Sequence, residues 1–435
     1  MAGKKTQAHL TPEEKLQQAL VPEAEQPYKV PANWYWTYLK NVSDCLDNFR
    51  KPINANERNA RLGDVPYYGA TGQVGWIDDY LTNEELVLLG EDGAPFLDLL
   101  KNKAYLINGK AWVNNHAHIL RSKFGTMGNR LLIEYLNSFD FTGFVTGTTR
   151  LKLTQASMNK IIIPLVPLAE QQRIVERIES LFAKLDEAKE NLQNVLDGFE
   201  TRKAAILHKA FTGELTAKWR KQHGVSMDSW EEKALGKIVK NIKDKYEPTL
   251  NNKKCVKYIG LEHIEKNNGI IGFGSSDDVK SLKTIFELGD ILYGKLRPYL
   301  NKHDIAKFSG ICSTDILVYR AEDFNTAKFI NYFMNTEKFI FYTVSNSKGI
   351  NLPRISEKEV SGILVNVPTL SEQSEIVRII DDLLAKEQQA KELAENAITK
   401  IDIIKKSILA RAFRGELGTN NPADEPAVEL LKQVL

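Results

Sequence analysis

Two stretches of this chain carry apolar residues at alternating steps of four and three. In the first they are Ile174, Ile178, Leu181, Leu185, Ala188, Leu192, Val195 and Phe199. In the second the matching places hold Ile376, Ile380, Leu383, Glu387, Ala390, Ala394, Ala397 and Ile401, generally smaller. A seam of period 3.5 sustained over several heptads predicts long helices of the coiled-coil type, and large residues opposite small ones predict that the two pack together. Each helix, at about 40 residues, would span about 60 Å and act as a spacer. Pro167 precedes the first helix, Thr369 and Ser371 flank the start of the second, and acidic Glu170 and Glu372 sit in the first turns, as helix starts require. Gly213 and Gly415 punctuate the ends.

The two stretches are copies. Leu168-Ala169-Glu170-Gln171 with Ile174-Val175 recurs as Leu370-Ser371-Glu372-Gln373 with Ile376-Val377. Ala210-Phe211-Thr212-Gly213-Glu214-Leu215 recurs as Ala412-Phe413-Arg414-Gly415-Glu416-Leu417. The offset is 202 throughout, and 21 of the 48 positions from Leu168 to Leu215 are identical without a gap. A repeat this long implies two modules, each a globular segment followed by a helix, rather than a solenoid.

The globular segments have a mixed α/β pattern. Strands are expected at Glu85 to Leu89, Ala104 to Ile107, His118 to Leu120, Val256 to Ile259, Asp290 to Leu292 and Ile316 to Tyr319, separated by turns containing Gly and Asn. Amphipathic helices are expected at Arg130 to Phe139 and Ala327 to Phe341, each before a loop, Thr142 to Gly147 and Ser345 to Gly349. Gly147 and Gly349 keep the offset of 202. The expected organisation is a tail with a short helix (1–30, helix at Thr11 to Leu20, linker from Glu23), a first globular domain (31–166) and a central helix (167–216). A second domain (217–367), a C-terminal helix (368–418) and a tail (419–435, helix from Glu425) follow. Trp34, Trp36 and Trp230, near the domain starts, read as core aromatics.

Composition adds limits. At 435 residues, 43% apolar and 26% charged, the chain is long enough for several packed domains and unlike collagen or a disordered chain. The longest apolar run, Ile161 to Leu168, is cut by Pro164 and Pro167, too short for a membrane helix. No apolar segment follows Lys4 and Lys5, so a cytoplasmic location is expected. Cys45, Cys255 and Cys312 are odd in number and widely spaced, so neither a disulfide framework nor a zinc site is expected. Net charge is only +2, but Ala217 to Val367 holds 24 basic and 18 acidic residues against 14 and 13 in Pro31 to Val166. A local basic surface suffices to hold duplex DNA, because only phosphate-facing cations enter counterion release.

Motifs for catalysis are missing. None of Gly109-Lys110, Gly236-Lys237 or Gly294-Lys295 completes a phosphate loop, Asn421-Pro422-Ala423 does not supply an amino-methyltransferase motif, and no Gly-x-Ser-x-Gly elbow occurs. His116 and His118 could face one way on a strand, but no third ligand accompanies them in sequence, and such histidines more often hydrogen-bond locally.

The repeated Leu-x-Glu-Gln start, the Ala-Phe-x-Gly-Glu-Leu ending and the two alternating variable segments resemble the specificity subunit of a type I restriction-modification system. Gly90-Glu91-Asp92-Gly93 with Asn108 to His118 is similar to one class of that family's target-recognition domain, and Gly289 to Leu300 to another. The resemblance implies two α/β target-recognition domains separated by two long antiparallel coiled-coil helices, duplicated with pseudo-twofold symmetry. It implies a non-catalytic chain that binds a bipartite, asymmetric duplex site. Two modification subunits would methylate adenine with S-adenosylmethionine, and restriction subunits would use ATP and Mg2+; this chain itself would hold no cofactor. An autonomous nuclease or methyltransferase would need a divergent site, and a protein-interaction scaffold would need no DNA.

DNA readers are expected among side chains able to grip phosphate or pair with base edges. In the first domain these are Tyr67, Tyr68, Thr71, Lys110, Asn114, Asn115, His116 and His118; in the second they are Tyr258, Lys295, Arg297, Tyr299, Asn301 and Lys302. Outside the helices the halves share little, so the two half-sites are expected to differ, with the helices as a ruler for the gap between them. Replacing residues 31–166 with the equivalent segment of another family member should therefore change one half of the methylated motif, read by methylome sequencing. A change in both halves would refute independent reading.

Overall fold

The computed structural model describes residues 11–248 and 256–435; Cys255 lies outside them. The chain divides into two compact units, Met1–Leu192 with Asn396–Leu435, and Gln193–Glu395. The division falls inside both long helices. Packing gives the reason. In the first unit Ile174, Val175 and Ile178, from the start of one long helix, share a core with Leu409, Ala412 and Phe413, from the end of the other. In the second unit Ile376, Val377 and Ile380 share a core with Leu207 and Ala210.

The long helices are Leu168–Asp197, continued after Gly198 by Phe199–Phe211, and Leu370–Ala412. The break at Gly198 has a local cause. Arg202 lies over the glycine, donates to the Val195 carbonyl at 2.8 Å and pairs with Glu387 at 2.8 Å, and a Cβ on Gly198 would meet its guanidinium at 2.4 Å. At the corresponding places the second copy has Lys400 and Ile404, and its helix runs unbroken. Within the first unit Asp186 pairs with Lys405 and Lys189 with Asp402; within the second Lys391 lies over the Phe199 ring and Arg202 meets Glu387. Rising numbers meet falling ones, so in each unit the helices are antiparallel.

The seam is not uniformly buried. Ile174, Ile178, Ile376, Ile380, Ala394 and Ile401 are buried, but Leu181, Leu185, Leu192, Phe199 and Leu383 are half-buried and Val195 and Ala390 are exposed. Two helices alone cover only one stripe of each other, so full burial comes where a globular core adds a third layer.

Each unit is built on two sheets. In the first, strands Ser43–Cys45, Ala117–Ser122, Leu86–Gly90 and Ala104–Ile107 form an antiparallel sheet; Gly72–Ile77, Val65–Gly69, Lys110–Val113 and Thr82–Asn83 form another, with Val65–Gly69 and Lys110–Val113 parallel. In the second, Lys240–Ile242, Ile316–Arg320, Ile291–Gly294 and His303–Ile305 match the antiparallel sheet, and a five-stranded sheet again holds one parallel pair, Lys257–Ile259 with Gly310–Cys312. Every residue of Leu86–Gly90 is buried. Val87 and Leu89 face the helix Gly125–Ser138, and Leu86 and Leu88 face the second sheet, so the period of two is spent on two apolar faces. Ile291 and Tyr293 against Leu292 repeat this in the second unit.

The helix expected over Ala327 to Phe341 is two, Phe324–Phe333 and Glu337–Ser345, because Thr336 caps the second by accepting from the Phe339 amide. The tail helices are Pro12–Ala19, with a Thr11/Glu14 capping box, and Ala427–Val434. The duplication also begins earlier than Leu168. Thr154 and Ser356 cap equivalent short helices, Gln155–Met158 and Glu357–Ser361, and strands Ile162–Leu165 and Leu364–Val367 follow, all at the offset of 202.

The Leu-x-Glu-Gln motif has a structural account. Glu170 is fully buried and accepts from the Trp34 indole at 2.7 Å, Asn420 at 2.8 Å and Thr419 at 3.2 Å. Glu372, equally buried, accepts from the Trp230 indole at 3.0 Å, Thr216 at 2.7 Å and Arg220 at 2.5 Å. Gln171 and Gln373 each donate to the backbone just before their helix, at the Val166 and Pro368 carbonyls. Replacing Glu372 with Ala strands the Arg220 charge and should destabilise by about 3–5 kcal/mol. Glu170→Ala strands only neutral donors and should cost about 1–3 kcal/mol. Urea unfolding of the two variants checks the order; equal losses would deny the Arg220 pair its role.

Candidate nucleic-acid interface

Four segments converge at one edge of each unit. In the first they are the turn Glu91 to Gly93 after the buried strand, the turn Asn114 to His116, the strand Val65–Gly69, and the loop Gly147 to Arg150 between strands Val145–Thr146 and Lys152–Leu153. Backbone hydrogen bonds knit them: Glu91 donates to the His116 carbonyl (2.8 Å), Gly93 to Leu151 (3.0 Å), Leu153 to Glu91 (2.7 Å) and Asn114 to Tyr68 (3.1 Å). The second unit repeats all four. Lys295 donates to Asp315 (2.8 Å), Arg297 to Pro353 (2.7 Å), Ile355 to Lys295 (3.1 Å) and Ser313 to Ile259 (2.9 Å). The loop is closed in both, by Thr146 opposite Lys152 and by Lys348 opposite Arg354. Gly147 and Gly349 both take φ +104°, and a Cβ would approach the Arg150 carbonyl to 2.5 Å or that of Leu352 to 3.0 Å, so the turn requires glycine.

On this common backbone the charges differ. In the first unit two carboxylates are bound: Glu91 pairs with Arg50 and Lys152, and Asp92 pairs with Arg150 at 2.6 Å and bonds the His116 ring nitrogen at 2.7 Å. In the second unit Lys295 stands where Glu91 does, and the nearby carboxylate, Asp315, is held by Arg354 at 3.0 Å. Burial, with Arg354 and Lys245 nearby, pushes the Lys295 ammonium below its usual range against the pull of Asp315.

Several expected readers are not available to DNA. Tyr67 is buried, its hydroxyl bound to the Ile53 backbone. Asn114 is buried and accepts from the His116 amide, holding the turn. His118, 1% exposed, is fixed by Asp47 at 2.6 Å and the Leu153 carbonyl at 2.9 Å. Asn301 is buried and donates to the Met334 carbonyl. In each case a polar side chain satisfies backbone that the fold buries. Tyr68 is half-buried beside Tyr105, Lys302 is tied to the Leu261 carbonyl, and Tyr258 is half-buried under Lys283. Thr71, Lys110, Asn115, Arg297 and Tyr299 are exposed; Lys110 lies over the Tyr80 ring. Arg150, Lys152, Lys348 and Arg354 at the loop were missed. The paired glycines at the offset of 202 were the signal that marked them.

His116 and His118 meet different carboxylates, Asp92 and Asp47, and His116 lies in the turn before the strand that holds His118. His118 does gain neighbours that spacing concealed, since donor atoms of Cys45, Asp47 and His118 lie within 4.8 Å of one another. Those donors are engaged, His118 through both nitrogens and Asp47 also by the Ile119 amide. Burial also pushes the Cys45 thiol up. The trio is a hydrogen-bond network holding Leu153 and the loop base.

No helix among the described residues is long and apolar enough to cross a membrane. A duplicated chain that places unlike polar side chains on the same two knitted edges is a recognition module. It belongs to the type I restriction-modification DNA specificity family, whose domain model matches residues 31–197 and 227–398. It is 30% identical to the EcoDI specificity subunit of Escherichia coli over 92% of both chains. It is 27% identical to the EcoKI specificity subunit of Escherichia coli over 62% of this chain and 61% of that one. The fold is similar to the crystal structure of the HsdS subunit from Thermoanaerobacter tengcongensis (TM-score 0.60, 17% identity, 91% of this chain and all of that one). A chain from a structural study of type I restriction-modification complex assembly gives a TM-score of 0.64 at 16% identity, over 90% of this chain and all of that one. The chain is thus a non-catalytic DNA sequence-recognition subunit.

Burial alone would raise Asp47, but the His118 hydrogen bond and charge, the Ile119 amide and Arg50 hold it below the usual carboxylate range. Glu91 is likewise held down against burial by Arg50 and Lys152. A carboxylate depressed in the folded state stabilises above its unfolded value and loses that contribution as pH falls through the folded one. Unfolding measured between pH 7 and 3 should show stability falling below about pH 4, with a shallower fall in Asp47→Asn. An unchanged slope would refute the assignment.

Proposed function

We propose that each unit reads one half of a bipartite, asymmetric duplex site through its knitted edge, and that this binding brings each half-site's adenine to a partner methyltransferase. The observation that carries this is the identical set of four backbone hydrogen bonds under unlike side chains. Base edges are told apart by donor and acceptor pattern, so Glu91, Asp92 and His116 cannot present what Lys295, Leu296 and Asp315 present. A target adenine must be flipped out of the duplex for methylation, which needs a pocket this chain has no motif for. Two modification subunits using S-adenosylmethionine, and restriction subunits using ATP and Mg2+, supply the chemistry. Ile403 and Ile404, exposed on the C-terminal helix, and Leu393 offer apolar surface to such partners.

The test is incubation of the purified chain with labelled methyl donor and duplex DNA, with and without modification subunits. Methylation should appear only with the partners; methylation or cleavage by the chain alone would overturn the reading. Binding of the chain to random duplex should weaken steeply with salt.

A further inference from the structure

Three described residues other than glycine take positive φ: Asn267, Arg297 and Asn301. Asparagine tolerates that region, and Asn301 spends its side chain on the buried Met334 carbonyl. Arg297, at φ +52°, has no such account. Its position is the one that Gly93 occupies in the first unit, at φ +72°, since both amides donate to the loop carbonyl immediately before the closing cation, Pro353 or Leu151. Where one copy uses the residue that fits, the other carries an arginine at a steric cost. The side chain is exposed and meets no carboxylate among the described residues. Its backbone is held at both ends, by the Pro353 carbonyl and by the Leu300 amide. Beside it stands the closed loop Gly349 to Pro353, whose tip is Ile350, 99% exposed, with Leu352 also exposed and Lys348 and Arg354 at its base. Four cations, Lys295, Arg297, Lys348 and Arg354, lie on this turn and the closed loop, and Asp315 pairs with one of them, Arg354. That surplus suits a polyanion, and the apolar tip suits a groove floor.

We infer that Arg297 is a base reader of the second unit, pairing through its guanidinium fork with a guanine edge in that unit's half-site, with the Ile350–Leu352 tip seated beside it. This rests on the two-reader function proposed above. A planar fork matches guanine O6 and N7, which a lysine point charge does not reproduce. The strained backbone, pinned at both ends, fixes the direction in which the side chain leaves the chain before DNA arrives, which lowers the ordering cost of binding.

The test uses the complex of this chain with its modification subunits, the methylated motif being taken from methylome sequencing of the host. Arg297→Gly installs the residue of the first unit, so its melting temperature should hold or rise. Its preference for cognate over random duplex should fall about tenfold or more. The motif should become degenerate at one G·C pair in one half only, and Arg297→Lys should not restore it. An unchanged motif and preference would overturn the inference. So would an equal loss on cognate and random duplex, or full rescue by lysine, each of which marks a phosphate contact. A wild-type complex with no cognate preference would instead sink the two-reader function itself.

Discussion

A carboxylate taken wholly out of water must find donors or unfold its surroundings, and this chain places one at the third position of each long helix. Glu170 draws in an indole from the start of its unit and two polar side chains from the segment after the other helix's Gly-Glu-Leu ending. Glu372 does the same with Trp230, Thr216 and Arg220. The start motif and the end motif are therefore two sides of one contact, each made between different copies of the repeat. That contact closes each unit across the chain: the first globular segment cannot complete its core without residues near 409–431, nor the second without residues near 207–210. The copies have solved the buried charge differently, one with neutral donors and one with a cation. Fixed geometry with exchangeable chemistry recurs at the recognition edge.

The long helices and the duplication were legible because both are periodic: a 3.5-residue seam and an offset of 202 stand out from any local noise. Strands buried on both faces were legible as short apolar runs, as at Leu86–Gly90, expected one residue earlier at Glu85 to Leu89. Strands Gly72–Ile77 and Lys240–Ile242 were not, since the first mixes exposed, half-buried and buried residues without clean alternation and the second buries none of its residues. Helix-seam burial was overstated in the middle because period says which residues face a partner, and not how many layers cover them.

The recognition edge was legible only in outline. Residue type cannot separate a reader from a polar side chain spent on the backbone, which is why Tyr67, Asn114, His118 and Asn301 stood beside Arg297 and Tyr299 as equals. Arg150 and Arg354 are single cations in loops and carry no pattern of their own. What could be read was backbone: a glycine kept at the same offset in both copies marked a turn that only glycine can make, and the turn held the loop.

The edge can vary because the scaffold beneath it does not need its side chains. The turns rise from strands such as Leu86–Gly90 that are buried on both faces, and their ends are pinned by backbone bonds that any residue but proline can make. Substituting an exposed tip residue costs about half a kcal/mol or less, while emptying the core below costs about 2–5 kcal/mol. Selection for a new target can therefore exchange Thr148 for isoleucine at equivalent places without endangering the fold. The same argument sets a limit on that freedom. A position whose φ is positive admits glycine without cost, tolerates asparagine and strains a longer side chain, so an arginine there persists only where its side chain returns something that stability alone does not.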